Sequence, residues 1–141
     1  MLLESFFAGP DQDVQRENVL VPGEVITAVT VPALAADWRG VFLKARERTA
    51  GDFPLVSVAI GFTLRHGAIE QVRVVLGGVA PVPWRSPEAE AVLEGQAPSE
   101  EVAERAAAAA FTTAQPLTNN DYKVDIGRAL VARAIRSAYS V

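Results

Sequence analysis

Hydrophobic and polar positions along this chain change period near residue 85, from two to about 3.6, and that change separates a strand half from a helix half. In the first half Val25, Thr27, Val29 and Val31 alternate with Ile26, Ala28 and Thr30. This β-branched run between Pro22-Gly23 and Pro32 predicts a first strand. Val41 to Arg48 predicts a second, with Phe42, Lys44, Arg46 and Arg48 on one face and Leu43, Ala45 and Glu47 on the other. The third runs from Val56 to Leu64. It sets Val56, Val58, Ile60, Phe62 and Leu64 against the small residues Ser57, Ala59, Gly61 and Thr63. Arg65-His66-Gly67-Ala68 supplies a tight reversal into a fourth strand, Ile69 to Leu76, so that strands three and four form an antiparallel hairpin.

Beyond the Gly- and Pro-rich segment 77–85 the signals are helical. Ser86-Pro87-Glu88 offers a capping hydroxyl, a proline at the first helical position and an acid in the first turn, and Gly95 ends that helix. Ser99-Glu100-Glu101 opens a second helix through Val102, Ala106–Ala110 and Phe111, stopped before Pro116. Asn119-Asn120-Asp121 opens a third, in which Ile126, Leu130, Val131, Ala134, Ile135 and Ala138 form an apolar stripe. Strands followed by helices predict an α+β fold: an antiparallel sheet of three to four strands with three helices packed on one face. The expected division is an irregular lead-in over 1–20, the sheet over 21–80 and the helical layer over 86–141. The adjacent aromatics Phe6-Phe7 sit in the lead-in, where they predict packing across an interface, onto a preceding domain or a second copy of the chain.

With 141 residues, half of them hydrophobic, the chain fits one domain with an ordinary core. It has no cysteine and one histidine, which excludes disulfides, thiolate metal sites, iron–sulfur ligation and a cysteine nucleophile within it. A net charge of −4 argues against nucleic acid and anionic membranes as partners. No apolar run is long enough to span a bilayer, and Met1-Leu2-Leu3-Glu4 lacks the basic start of a signal peptide, so the expected location is the cytoplasm.

Few residues invite chemistry. His66 precedes Gly67 in a hairpin turn, where positive φ and exposure are the expected explanation. Gly77-Gly78 suggests a phosphate loop, but no Lys-Ser/Thr pair follows, and a sharp strand exit explains the pair as well. Lys44, Arg46 and Arg48 put three cations on one strand face, either as charge that blocks edge pairing or as a site for an anion or partner. The following Thr49-Ala50-Gly51-Asp52 has the small residues a mobile lid needs. No residue is assigned a catalytic or metal-binding role. The alanine run is structural, since alanine is the best helix former.

Four segments, taken together, resemble the C-terminal domain of the FAD-binding (medium) subunit of molybdenum hydroxylases, the carbon monoxide dehydrogenase and xanthine dehydrogenase family. They are Phe6-Phe7-Ala8-Gly9-Pro10; Pro22-Gly23-Glu24-Val25-Ile26 running to Val31-Pro32; Phe42-Leu43-Lys44 with Arg48, Asp52 and Val56-Ser57-Val58-Ala59; and Leu76-Gly77-Gly78-Val79-Ala80-Pro81 with Pro83, Arg85, Glu90, Leu93 and Gly95. The resemblance implies an antiparallel sheet with three helices. It also implies a role in completing a flavin site whose diphosphate is held by a separate N-terminal part. Ile26 would supply an apolar contact, and Lys44 with the Arg48–Asp52 loop a polar one. FAD is then expected only in complex with a flavin-binding partner domain or subunit, and none in the isolated chain. Iron–sulfur and molybdenum subunits would be further partners in electron transfer to the flavin. The alternative is a stand-alone interaction module that kept the fold without redox function.

Overall fold

A computed structural model describes residues 1–9, 11–49 and 51–140; Pro10, Ala50 and Val141, which fall within the motif, loop and helical segment named above, lie outside them. A four-stranded antiparallel sheet of order β1-β2-β3-β4 is built from Trp38–Ala45, Val56–Arg65, Ala68–Gly77 and Trp84–Arg85. Three helices follow, α1 (Pro87–Leu93), α2 (Glu100–Ala109) and α3 (Tyr122–Tyr139). Helix α3 packs on β1 and β2, α1 on β3, and α2 against both other helices. This is the expected α+β arrangement, and no helix among the described residues is long and apolar enough to cross a membrane.

Alternation decides which sheet face is buried. Val56, Val58, Ile60 and Phe62 of β2 and Ile69, Val72, Val74 and Leu76 of β3 are all buried. They meet Ala89 and Leu93 of α1, Ala103, Ala106 and Ala107 of α2, and Val131, Ala134, Ile135 and Ala138 of α3 in one apolar cluster. The alanines of the run thus let α2 approach its neighbours closely. Ile69 and Val72 are three residues apart yet share a face because a bulge intervenes: Gly61 pairs Arg73 and Thr63 pairs Glu70, leaving Gln71 and Val72 opposite Phe62. Gln71 takes φ +57 there. The hairpin turn is as expected, with His66 at φ +52 and Gly67 at φ +81, both exposed.

Three boundaries differ from the sequence reading. The predicted strand at 25–31 is not a strand: residues 25–35 are extended without regular pairing, and Val25, Ile26, Val29 and Val31 are exposed. Period-two alternation equips a segment to join a sheet but does not supply the neighbouring strand, and here β1 takes the place beside β2. That strand starts at Trp38 and stops at Ala45, so Arg46 and Arg48 fall in the following bend. Trp84–Arg85, placed in the linker by its Gly and Pro content, forms β4 against Val75 and Leu76. The lead-in is also more ordered than its pattern suggests. It holds a 3-10 turn at Leu3–Ser5 and an antiparallel bridge between Phe7 and Asn18. Phe6 and Phe7 are half-buried and meet edge to face, with ring centroids 5.3 Å apart.

Candidate functional site

The sheet face opposite the helices is the feature from which a site can be built. Val41 and Leu43 of β1 turn toward the core, so Phe42 and Lys44 turn away from it and are exposed. On that side Phe42, Ser57, Ala59, Val75, Pro81 and Pro83 are among the residues lining an open groove of about 380 Å³.

At the end of β1 the chain leaves the sheet and returns within ten residues, closed by the Leu55 N–H donating to the Ala45 carbonyl at 2.8 Å. Inside this loop three of the four expected site residues come together. The Lys44 ammonium donates to the Asp52 carbonyl oxygen. The Arg48 backbone N–H donates to Asp52 Oδ2 at 3.2 Å, and its guanidinium donates to Oδ1 at 3.3 Å. The Arg48 guanidinium, then its backbone N–H, holds the Asp52 carboxyl below the ordinary carboxylate range; burial opposes this weakly, and the Lys44 charge adds to it. The Asp52 carboxylate is therefore paired with Arg48 while its backbone carbonyl holds Lys44, and Lys44, Arg46 and Arg48 outnumber the acids Glu47 and Asp52 in this stretch.

Ile26 is not part of this cluster. It lines a separate groove with Met1, Leu2, Leu3, Phe6 and Leu20, on the extended segment that joins no strand. Arg46 is exposed, and no side chain is drawn to it in the arrangement just described. One residue escaped the sequence reading: Phe53, next to Asp52, is 91% exposed. An aromatic ring left almost wholly in water beside a fixed ion cluster is an apolar contact surface waiting for a neighbour. Its sequence signal was the Gly51-Asp52-Phe53-Pro54 context, where an aromatic follows a turn and precedes a proline.

The glycine pair and the histidine resolve differently. A Cβ on Gly78 would stand 3.0 Å from the carbonyl oxygens of both Pro54 and Leu55, and one on Gly77 would meet the Ser57 hydroxyl. The Gly78 surroundings are thus rich in acceptor oxygens, the wrong polarity for a phosphate. His66 remains an exposed turn residue with a backbone explanation.

Comparisons with known proteins bear on the family and the fold. The family described as CO dehydrogenase flavoprotein C-terminal domain matches residues 41–138. The aldehyde oxidoreductase FAD-binding subunit PaoB of Escherichia coli is 33% identical over 140 residues, covering 96% of this chain and 39% of that protein. The nicotine 6-hydroxylase medium subunit of Paenarthrobacter nicotinovorans is 31% identical over 134 residues, covering 94% of this chain and 44% of that protein. Among solved structures, the carbon monoxide dehydrogenase of Hydrogenophaga pseudoflava lacking the Mo-pyranopterin moiety superposes with a TM-score of 0.72 at 32% identity, over 78% of this chain and 39% of that one. The reconstituted CO dehydrogenase of Oligotropha carboxidovorans shares the fold, with a TM-score of 0.82 at 23% identity over 96% of this chain and 47% of that one. The chain thus spans less than half the length of these relatives. By the match over residues 41–138 and the identity to relatives along nearly its whole length, it belongs to the CO dehydrogenase flavoprotein C-terminal domain family.

Proposed function

We propose that this chain is the part of a molybdenum hydroxylase flavin subunit that closes one side of the FAD site, with Lys44 and the Arg48–Asp52 loop facing the flavin. The observation that carries this reading is the loop itself: a fixed ammonium, an ion-paired carboxylate and an exposed Phe53 at the end of β1, whose Phe42 and Lys44 face away from the helices, in a domain of this family. The donor chemistry fits one side of a planar, partly polar ring. Lys44 offers N–H donors, Phe53 and Phe42 offer apolar faces, and the groove beside Phe42 lies within the roughly 300–1,000 Å³ common to small-molecule sites. Bound flavin would supply the capacity to accept electrons and pass them on. Lys44 would add a fixed positive charge favouring the reduced, more negative form of the ring.

No backbone cradle for a diphosphate is found in the described loop, so the remainder of the flavin would be held by a partner domain or subunit. The exposed apolar segment with Val25, Ile26, Val29 and Val31, beside the Phe6–Phe7 pair, is the surface we assign to that partner, and Ile26 would reach the flavin side only within such a complex. Iron–sulfur and molybdenum subunits complete the proposed assembly, in the cytoplasm. Two relatives matched along nearly the whole chain, one a FAD-binding subunit and the other a medium subunit, support this reading.

The test reconstitutes the full chain with the portion of a PaoB-like flavin subunit that it does not span, and titrates FAD. Lys44→Ala is expected to weaken flavin binding by about 2 kcal/mol, the scale of a hydrogen bond to a charged group, or to lower the flavin midpoint potential. Lys44→Arg restores this only in part, because a planar fork does not replace a compact ammonium. Unchanged affinity and potential in a verified complex would remove Lys44 from the site.

A further inference from the structure

Gly78, the glycine motif that the flavin reading leaves unused, sits at a junction of three elements. It follows the last residue of β3 at φ +74, a conformation that side chains with a Cβ rarely adopt. Its ideal Cβ position is 3.0 Å from the carbonyl oxygens of Pro54 and Leu55, so the return arm of the loop after β1 rests directly on this glycine. On its other side Leu55 is held to β1 by the 2.8 Å bond to Ala45. From the first turn of α3, the Lys123 ammonium donates to the Gly78 carbonyl oxygen at 2.7 Å. The end of β1, the exit of β3 and the start of α3 are thereby tied at Gly78, and Leu55, which rests on it, is three residues from Asp52.

We propose that Gly78 and Lys123 are positioning residues that seat the base of the 46–55 loop and so preset the arrangement of Lys44, Arg48 and Asp52 before any ligand is present. The functional meaning of this seat rests on the flavin reading above; the seat itself is a property of this chain alone. A methyl group at position 78 would press against two backbone carbonyls, which cannot rotate away as a side chain can, and would also strain the backbone. Leu55 and Pro54 must then shift, and the shift passes along three residues to the Asp52 carboxylate and its Arg48 partners. Gly77 provides the contrast. A Cβ there meets only the Ser57 hydroxyl, which can turn to another rotamer.

The experiment uses the full chain without flavin and follows two signals by NMR: amide exchange at Leu55, and titration of the Asp52 carboxyl. Gly78→Ala is expected to speed exchange at Leu55 about tenfold while the core amides of Val58 and Val131 keep their rates, as in local opening. It should also move the Asp52 midpoint up toward the ordinary carboxylate range. Lys123→Met should act in the same direction to a smaller extent, Lys123→Arg should restore the wild-type values because it can donate to the same carbonyl, and Gly77→Ala should leave Asp52 in place. Should Gly78→Ala fail to fold, the Lys123 pair of variants decides alone. Unmoved Leu55 and Asp52 signals would overturn the proposal, as would core amides accelerating by the same factor as Leu55. Because no flavin enters the experiment, its failure leaves the flavin reading standing, and a failure of flavin binding leaves the seat standing.

Discussion

Gly127 stands in the middle of α3, where alanine would ordinarily be favoured by about 1 kcal/mol. Packing overrides that propensity, because a Cβ at this position would collide with the Phe111 ring that lies over the helix. Gly127→Ala should therefore destabilise the chain, by about 1–3 kcal/mol as for other overpacked cores, and urea unfolding measures it; a more stable variant would show that Phe111 moves aside freely. The ion cluster of the loop gives a second residue-scale expectation. Asp52 titrates lower in the folded chain than unfolded, chiefly through the Arg48 guanidinium. The ordering it gives the loop is then complete above the ordinary carboxylate range and is lost as pH falls through its own lowered value. The protection of Arg48 N–H, its exchange relative to the intrinsic rate at each pH, should fall only below the point where exposed carboxylates have already protonated. Loss of protection in step with exposed carboxylates would show that the Arg48 contact is absent in solution.

At the scale of elements, the outer edge of β3 shows how a short helix replaces a strand. Only two residues of β4 pair with it, and Ser86 N–H continues the ladder by donating to the Val74 carbonyl at 2.9 Å. From there two glutamates one helical turn apart take over: Glu90 accepts the Val74 N–H, and Glu94 accepts the N–H groups of Gln71 and Val72 at the bulge. Gly95 and Gln96 close the row on Ile69. Burial works against the Glu90 anion, but the Arg85 guanidinium and the Val74 N–H outweigh it and hold its carboxyl below the ordinary range. Glu90→Gln should cost about 2 kcal/mol, the scale of hydrogen bonds to a charged group, and the loss should vanish in acid, where wild-type Glu90 is itself protonated; a pH-independent loss would point to packing instead. None of this was legible in the sequence, where Glu90 and Glu94 look like ordinary surface acids of a helix. Carboxylates acting as ladder partners leave no periodic trace. By contrast β2, β3 and their turn were legible, because Val56 to Phe62 and the His66-Gly67 pair satisfy side-chain period and turn geometry in the same stretch.

For the whole molecule, the apolar surface is distributed unevenly. Helices cover one sheet face, while Phe42, Phe53 and the segment from Val25 to Leu34 remain in water. The run at 25–31 was read as a strand because alternation reports what a segment can join, and no strand among the described residues pairs with it. The fold was legible for the same reason that this segment misled: local pattern is written in the chain, and partners are not. Alternation grouped Lys44 with Arg48 through a strand that in fact ends at Ala45, and the role of Asp52 beside them came only from family resemblance, since the loop that joins them has no period. One expectation belongs to this scale. The full chain alone should remain colourless after incubation with FAD and free-ligand removal, and turn yellow when a flavin-domain partner is supplied; stoichiometric flavin on the isolated chain would contradict the division of the site proposed above.

Beyond β3 the sheet continues only into the two residues of β4, with two carboxylates and the end of α1 taking the other N–H groups, so among the described residues the long edge strand is β1. A sheet open on both sides can be extended without limit, each added chain offering a fresh margin to the next. Here two copies that paired through β1 would each use their one long edge strand. The two residues of β4 are too short a template to carry the ladder further, so growth through β1 ends at a pair.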